Sequence, residues 1–228
     1  MKLRVLVGNV TRRLARALMR LYYPKVEVSH RGRIPASGPV LFVSNHPNSL
    51  LDPPVIGWAA RRPVHFFAKA PLFEVPVFGA LLHAVGMVPA YRGSDDPSQV
   101  RRNLETLRAG AEFLIKGEAV GIFPEGKSHD LNRVEMIRTG AGRLALQAVA
   151  GGAELVIVPL GLNHERKERF RSAVWVRVGR PIAVAALLRE HAGEERKALR
   201  HLTAEIERRL QEGVVHLAEP EWQPFLPE

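Results

Sequence analysis

Cysteine is absent from all 228 residues. Its absence excludes disulfides, thiolate metal sites and a cysteine nucleophile, and it leaves the compartment open. Long apolar runs are scarce as well. The one stretch free of formal charge, Val75 to Tyr91, is interrupted by Pro76, Gly79, Gly86 and Pro89, which argue against a continuous spanning helix. It reads instead as a helix to about Ala84, a turn at Gly86 and a strand Met87–Tyr91 ending on Arg92. No cleavable signal is expected, because the N-terminus lacks a compact apolar block and a small-residue cleavage site. No Gly-x-Ser-x-Gly elbow occurs, which disfavours a serine hydrolase. Aromatics make up 7% and do not interleave with the basic residues, so no nucleic-acid module is recognisable.

What is abundant is positive charge. A net charge of +10 suits anionic partners such as phosphates, acidic lipids, an acidic carrier protein or nucleic acid, although Arg and Ala are common along the whole chain. The first carboxylate is Glu27. Before it, Leu3, Leu6, Val10, Leu14, Leu18 and Leu21 recur at helical spacing, with Arg12, Arg13, Arg16 and Arg20 on other faces. Two readings stand for this segment, residues 1–24. It is either an amphipathic helix lying in the plane of an anionic membrane surface or a helix docked on its own domain.

From residue 25 to 214 the chain alternates buried-strand and helix patterns. Val26–Val28 reads as an edge strand. Val40–Val43, His65–Ala68, Ala119–Phe123, Leu155–Leu160 and Val174–Val178 read as further strands. Helices are expected at Pro53–Ala60, from Asp96 to about Leu114, at Thr139–Ala150 and at Glu194–Glu212. This pattern predicts a single α/β domain with a largely parallel central sheet flanked by helices, plus the N-terminal helix. Residues 215–228 are proline-rich and are expected to be an extended tail.

In such sheets function gathers at the carboxyl ends of strands. The run Val40–Val43 ends in Ser44-Asn45-His46-Pro47, and Asp52 follows shortly before Pro53 and Pro54. A histidine delivered by a strand, with a carboxylate one short loop away, is the make-up of a general base whose imidazole is oriented by its partner. Asp52 would equally serve as an ordinary helix N-cap with proline at N1. A second strand ends in Pro124-Glu125-Gly126-Lys127, where glycine lets backbone amides face a ligand. Arg92 and Lys127 suit a phosphate. The histidines show no metal-ligand spacing, so no metal is expected.

Taken together, Asn45-His46 with Asp52, Gly86 with Arg92, Phe123-Pro124-Glu125-Gly126 and Val158-Pro159 resemble the four ordered blocks of the glycerophospholipid acyltransferases. That family includes the 1-acylglycerol-3-phosphate and glycerol-3-phosphate acyltransferases. Two departures are visible. Five residues separate His46 from Asp52 where the family block has four, and Lys127-Ser128-His129-Asp130 stands where Thr-Arg is usual. The resemblance implies acyl transfer from acyl-CoA or an acyl carrier protein, acting as co-substrate with no cofactor, to a glycerol phosphate hydroxyl, foremost that of 1-acylglycerol-3-phosphate; glycerol-3-phosphate or dihydroxyacetone phosphate is the alternative acceptor, and a thioesterase or a basic lipid-binding module the alternative class. His46 and Asp52 would be catalytic. Asn45, Lys69, Arg92, Glu125, Gly126 and Lys127 would bind substrate, with Glu125 accepting from a hydroxyl or holding a cation. The enzyme would sit on the cytoplasmic side of a membrane, peripheral or monotopic, and would not bind nucleic acid.

Overall fold

The computed structural model describes residues 2–91, 100–129, 131 and 133–215, so Arg92 and the expected tail beyond Val215 lie outside the described residues. In chain order the elements are α1 (Lys2–Tyr22), β1 (Lys25–Ser29), β2 (Val40–Ser44), α2 (Asp52–Ala60) and β3 (His65–Lys69). There follow α3 (Phe78–Ala84), β4 (Val88–Ala90), α4 (Val100–Ile115), β5 (Ala119–Ile122) and α5 (Gly140–Ala150). The chain closes with β6 (Val156–His164), β7 (Ala173–Val178), β8 (Ile182–Ala183), α6 (Val184–Glu190) and α7 (Glu195–Gln211).

The sheet runs in the order β1-β7-β6-β2-β5-β3-β4, with β8 added beside β6. Strands β6, β2, β5, β3 and β4 are mutually parallel, so their carboxyl ends share one edge. Strand β7 runs against β6 and carries β1 parallel to itself. Strand β2 lies at the centre, and all five of its residues are buried. Continuous burial is what a strand covered on both faces requires. Leu41 and Val43 face one core, which they share with Leu114 of α4, Leu144 of α5, Leu187 of α6 and Leu202 and Ile206 of α7. Val40 and Phe42 face the other, with Met19 of α1, Tyr23, and Val55, Ile56 and Ala59 of α2.

The parallel α/β architecture and its flanking helices are as the sequence predicts. Three features differ. Strand β6 runs past Leu160 to His164, because its second half pairs with β7 in an antiparallel ladder from Leu160↔Val178 to His164↔Val174. The short pair β8–α6 is not foreseen in the sequence. Asp52 is not the cap of α2; Leu51 holds that position, and no side-chain cap bond forms there.

Helix α1 docks on its own domain, the second of the two readings of its pattern. Gly8 meets Ala84 so closely that a Cβ there would lie 2.3 Å from the Ala84 carbonyl oxygen. Arg12 donates to the carbonyl of Val85 at 2.7 Å, and Arg20 lies over the ring of Trp58. The docked face is therefore narrow. Leu6, Val10, Leu14, Leu18 and Leu21 remain exposed on the opposite side, flanked by Arg13, Arg16 and Arg20. No described helix is long and apolar enough to cross a membrane.

Candidate active site

Strand β2 delivers Asn45 and His46 to the carboxyl edge of the sheet. Asn45 is buried, and its amide spans to β6: Nδ2 donates to the Leu162 carbonyl at 2.9 Å and Oδ1 accepts from the Leu162 amide at 2.8 Å. Its side chain is thus committed to joining β2 and β6. A sequence reading that gave it substrate meets instead a clamp that fixes where the next residue stands.

His46 Nδ1 lies 2.8 Å from Asp52 Oδ2, with the side chains 14% and 0% exposed. The carboxylate accepts, so Nδ1 carries the proton and Nε2 is left to act on a substrate. The loop between them absorbs its fifth residue in a turn: the amides of Leu51 and Asp52 both bond the carbonyl of Asn48. The Asn48 amide donates to Asp52 Oδ2 at 2.8 Å. The His46 ring stacks on Phe123, centroids 3.8 Å apart and planes within 9°, which limits its rotation. Burial pushes the Asp52 carboxyl up, but hydrogen bonds from His164 and His46, and their charge, outweigh it and hold it below the usual carboxylate range.

Glu125 takes a different place from the one expected. It is buried, and Oε2 accepts the backbone N–H of His46 at 3.0 Å while Oε1 accepts that of Glu135 at 3.1 Å. His129 Nε2 stands 3.1 Å from the same Oε1. Burial raises the Glu125 carboxyl above its ordinary value, against the opposing pull of His129 and the two backbone donors. A carboxylate that repels phosphate is therefore turned inward, where it anchors the backbone beneath the His46 imidazole.

The cationic side of the site is more dispersed. Gly126, at φ +76°, and Lys127 are exposed on the turn after β5. Lys69 is exposed at the end of β3, the strand that separates β5 from β4. Arg92 lies outside the described residues. Arg138, which the sequence reading missed, comes alongside the turn: its Nε would be 3.5 Å from a Cβ on Gly126, and its amide bonds the Pro124 carbonyl at 2.9 Å. The stretch where Thr-Arg is replaced is thus furnished with an arginine from eleven residues further along. On the β6 side of His46 a cleft of about 520 Å³ is lined by Pro47, Asn48, Ser49, Ser128, His129 and Lys167 among others. The Lys167 ammonium donates to the carbonyls of Pro47 and His129, tying these loops together.

A second imidazole also went unnoticed in the sequence. His164 Nε2 lies 3.2 Å from Asp52 Oδ1, so one carboxylate sits between two histidines. The signal that would have found it is the continuation of β6 through Gly161 and Asn163, where small and polar residues mask the strand.

The structure is thus a mostly parallel α/β sheet with a buried His-Asp pair at the end of its central strand. The sequence model of the Acyltransferase family matches residues 25–163, and the chain belongs to that family. Among curated relatives, "Glycerol-3-phosphate O-acyltransferase 2" of Saccharomyces cerevisiae is 38% identical over 84 residues, covering 36% of this chain and 11% of the yeast protein. The chloroplastic 1-acyl-sn-glycerol-3-phosphate acyltransferase LPAT1 of Arabidopsis thaliana is 31% identical over 143 residues, covering 61% and 37% respectively. The chain therefore spans well under two thirds of these relatives. The crystal structure of the 1-acyl-sn-glycerophosphate acyltransferase PlsC from Thermotoga maritima shares the fold, with TM-score 0.62 and 19% identity over 92% of this chain and 81% of that one.

Proposed function

We propose that the protein is an O-acyltransferase that moves a fatty acyl group from a thioester, acyl-CoA or acyl carrier protein, to the hydroxyl of a glycerol phosphate in phospholipid synthesis. The favoured acceptor is 1-acylglycerol-3-phosphate. The observation that carries this reading is the buried His46–Asp52 pair at 2.8 Å on the end of β2, with Glu125 bonded to the backbone of the histidine. In the reaction, His46 Nε2 takes the hydroxyl proton as the oxygen bonds the acyl carbon. The carbon–sulfur bond breaks, and the departing thiolate receives the proton from His46. Asp52 steadies the imidazolium. General-base help of this kind contributes roughly 10²–10⁴-fold, and alignment of the two substrates must supply much of the remainder.

Lys127 and Arg138 would hold the acceptor phosphate, with Arg92 and Lys69 as further candidates. The exposed leucine face of α1 supports peripheral or monotopic binding to an anionic membrane surface, and the cytoplasmic side is the side proposed. The name of the yeast relative, a glycerol-3-phosphate O-acyltransferase, supports glycerol-3-phosphate as the second acceptor to test. Purified protein assayed against both acceptors with both donors decides between them. Arg138→Ala should raise KM for the phosphorylated acceptor roughly tenfold or more while leaving the donor KM unchanged. Thioester loss that does not depend on any acceptor would favour a thioesterase and overturn the proposal.

A further inference from the structure

Asp52 is held at both oxygens, and the holders differ. Oδ2 accepts from His46 Nδ1 and from the amide of Asn48, each at 2.8 Å. Oδ1 is reached by His164 Nε2 at 3.2 Å. An oxygen that accepts fixes the tautomer, so Nε2 of His164 carries its proton. The other nitrogen, Nδ1, is buried without a hydrogen-bond partner, in a side chain only 3% exposed. A bare ring nitrogen tolerates that place. We propose that His164 is a positioning residue for the acyl transfer, whose Nε2 grips Oδ1 of Asp52 and so holds the carboxylate that orients His46 and leaves the Nδ1 proton on the His46 ring.

The reaction role rests on the acyl-transfer reading above; the tautomer and the grip do not. A carboxylate with a donor on only one oxygen is free to turn about its last bond. Bonds to both oxygens hold its plane, and with it the direction of the His46 ring. The same bond tempers the base. Asp52 sharing its charge with His164 is a weaker acceptor toward His46, so the proton between them stays on the imidazole, and the imidazolium formed during attack is not stabilised so far that it fails to release its proton to the thiolate. The groups that face this pair are His46 beyond β2, Tyr23 just after α1, whose ring centroid is 5.2 Å from that of His164, and Glu125 beyond β5, which acts through the His46 backbone. The Tyr23 hydroxyl donates to the Lys167 carbonyl at 2.7 Å, so it is already engaged. The delivery of His164 is a property of the sheet: it is the last residue of β6, paired with Val174.

Ring-nitrogen NMR on the full wild-type chain tests the tautomer without any variant. Nε2 of His164 should carry the proton, with Nδ1 the bare ring nitrogen. A proton on Nδ1 with Nε2 bare overturns the proposal. His164→Gln, which keeps an N–H donor, and His164→Leu, which removes it, then test the role. The acid limb of kcat/KM should move up by about one pH unit in the leucine variant and return close to wild type in the glutamine variant. A lowered melting temperature and kcat with an unmoved acid limb in both variants would mean packing alone, and the proposal fails. A wild-type protein with no acyl transfer would instead sink the acyl-transfer reading, and with it the reaction role, whatever the NMR shows of the tautomer.

Discussion

The face of α1 turned away from the domain makes a quantitative prediction. Leu6, Val10, Leu14, Leu18 and Leu21 are 59%, 54%, 58%, 55% and 62% exposed. Fully burying such a side chain is worth about 2 kcal/mol, so a membrane covering the exposed half of each gains about 1 kcal/mol per residue, roughly 5 in all. Arg13, Arg16 and Arg20 border the stripe, and each adds about 1 kcal/mol near an anionic surface. Replacing two residues from the middle, Leu14→Ser with Leu18→Ser, should therefore lose about 2 kcal/mol and weaken partitioning by about 30-fold. The pair faces solvent, so the melting temperature should not fall. The assay is co-sedimentation with vesicles of neutral and of anionic lipid, at low and high salt. Wild-type partitioning by the double variant would refute an inserted leucine face. Loss of binding at high salt with no effect of the serines would reduce the contact to charge alone.

Other outcomes follow from the inward-facing polar groups. Asn45→Ala strands the buried amide and carbonyl of Leu162, at about 1–3 kcal/mol each, and should lower the melting temperature by roughly 5–15 °C in a thermal scan. Glu125→Ala removes the acceptor for the His46 and Glu135 amides; kcat should fall while acceptor KM changes little, in a steady-state comparison. Because burial raises the Glu125 carboxyl, its protonated form favours the fold. That contribution is complete below the ordinary value near 4.5 and is lost as pH rises through the raised one. Glu125→Gln should therefore gain stability relative to wild type as pH increases, in urea midpoints taken across that range; a constant difference would contradict the sign.

Much of this was legible in the sequence for a physical reason. Val40–Val43, His65–Ala68 and Ala119–Phe123 are continuous apolar runs cut by proline or polar residues, and burial on both faces leaves no other choice of residue. The His46–Asp52 pair was visible because both sit in one short loop. What linear reading could not weigh is partnership across the chain. Glu125 was expected to face a ligand, yet the amides of His46 and Glu135 draw it inward. Asn45 looked like a ligand residue until β6 arrived beside it. His164 and Arg138 carry no local mark of function and become part of the site only when β6 pairs with β7 and the segment after Lys127 folds back on Gly126. The leucines of α1 had two readings because periodicity records an apolar face and not what covers it; Gly8 and Met19 supply the docking, and the stripe is left outside.

The most direct test is one activity matrix, with acyl-CoA and acyl carrier protein as donors and 1-acylglycerol-3-phosphate and glycerol-3-phosphate as acceptors. Wild-type protein should transfer acyl groups to a phosphorylated acceptor, and His46→Ala should lose that transfer by roughly 10²-fold or more while retaining its fold. Full acyl transfer by His46→Ala, or thioester consumption indifferent to every acceptor, would contradict the account.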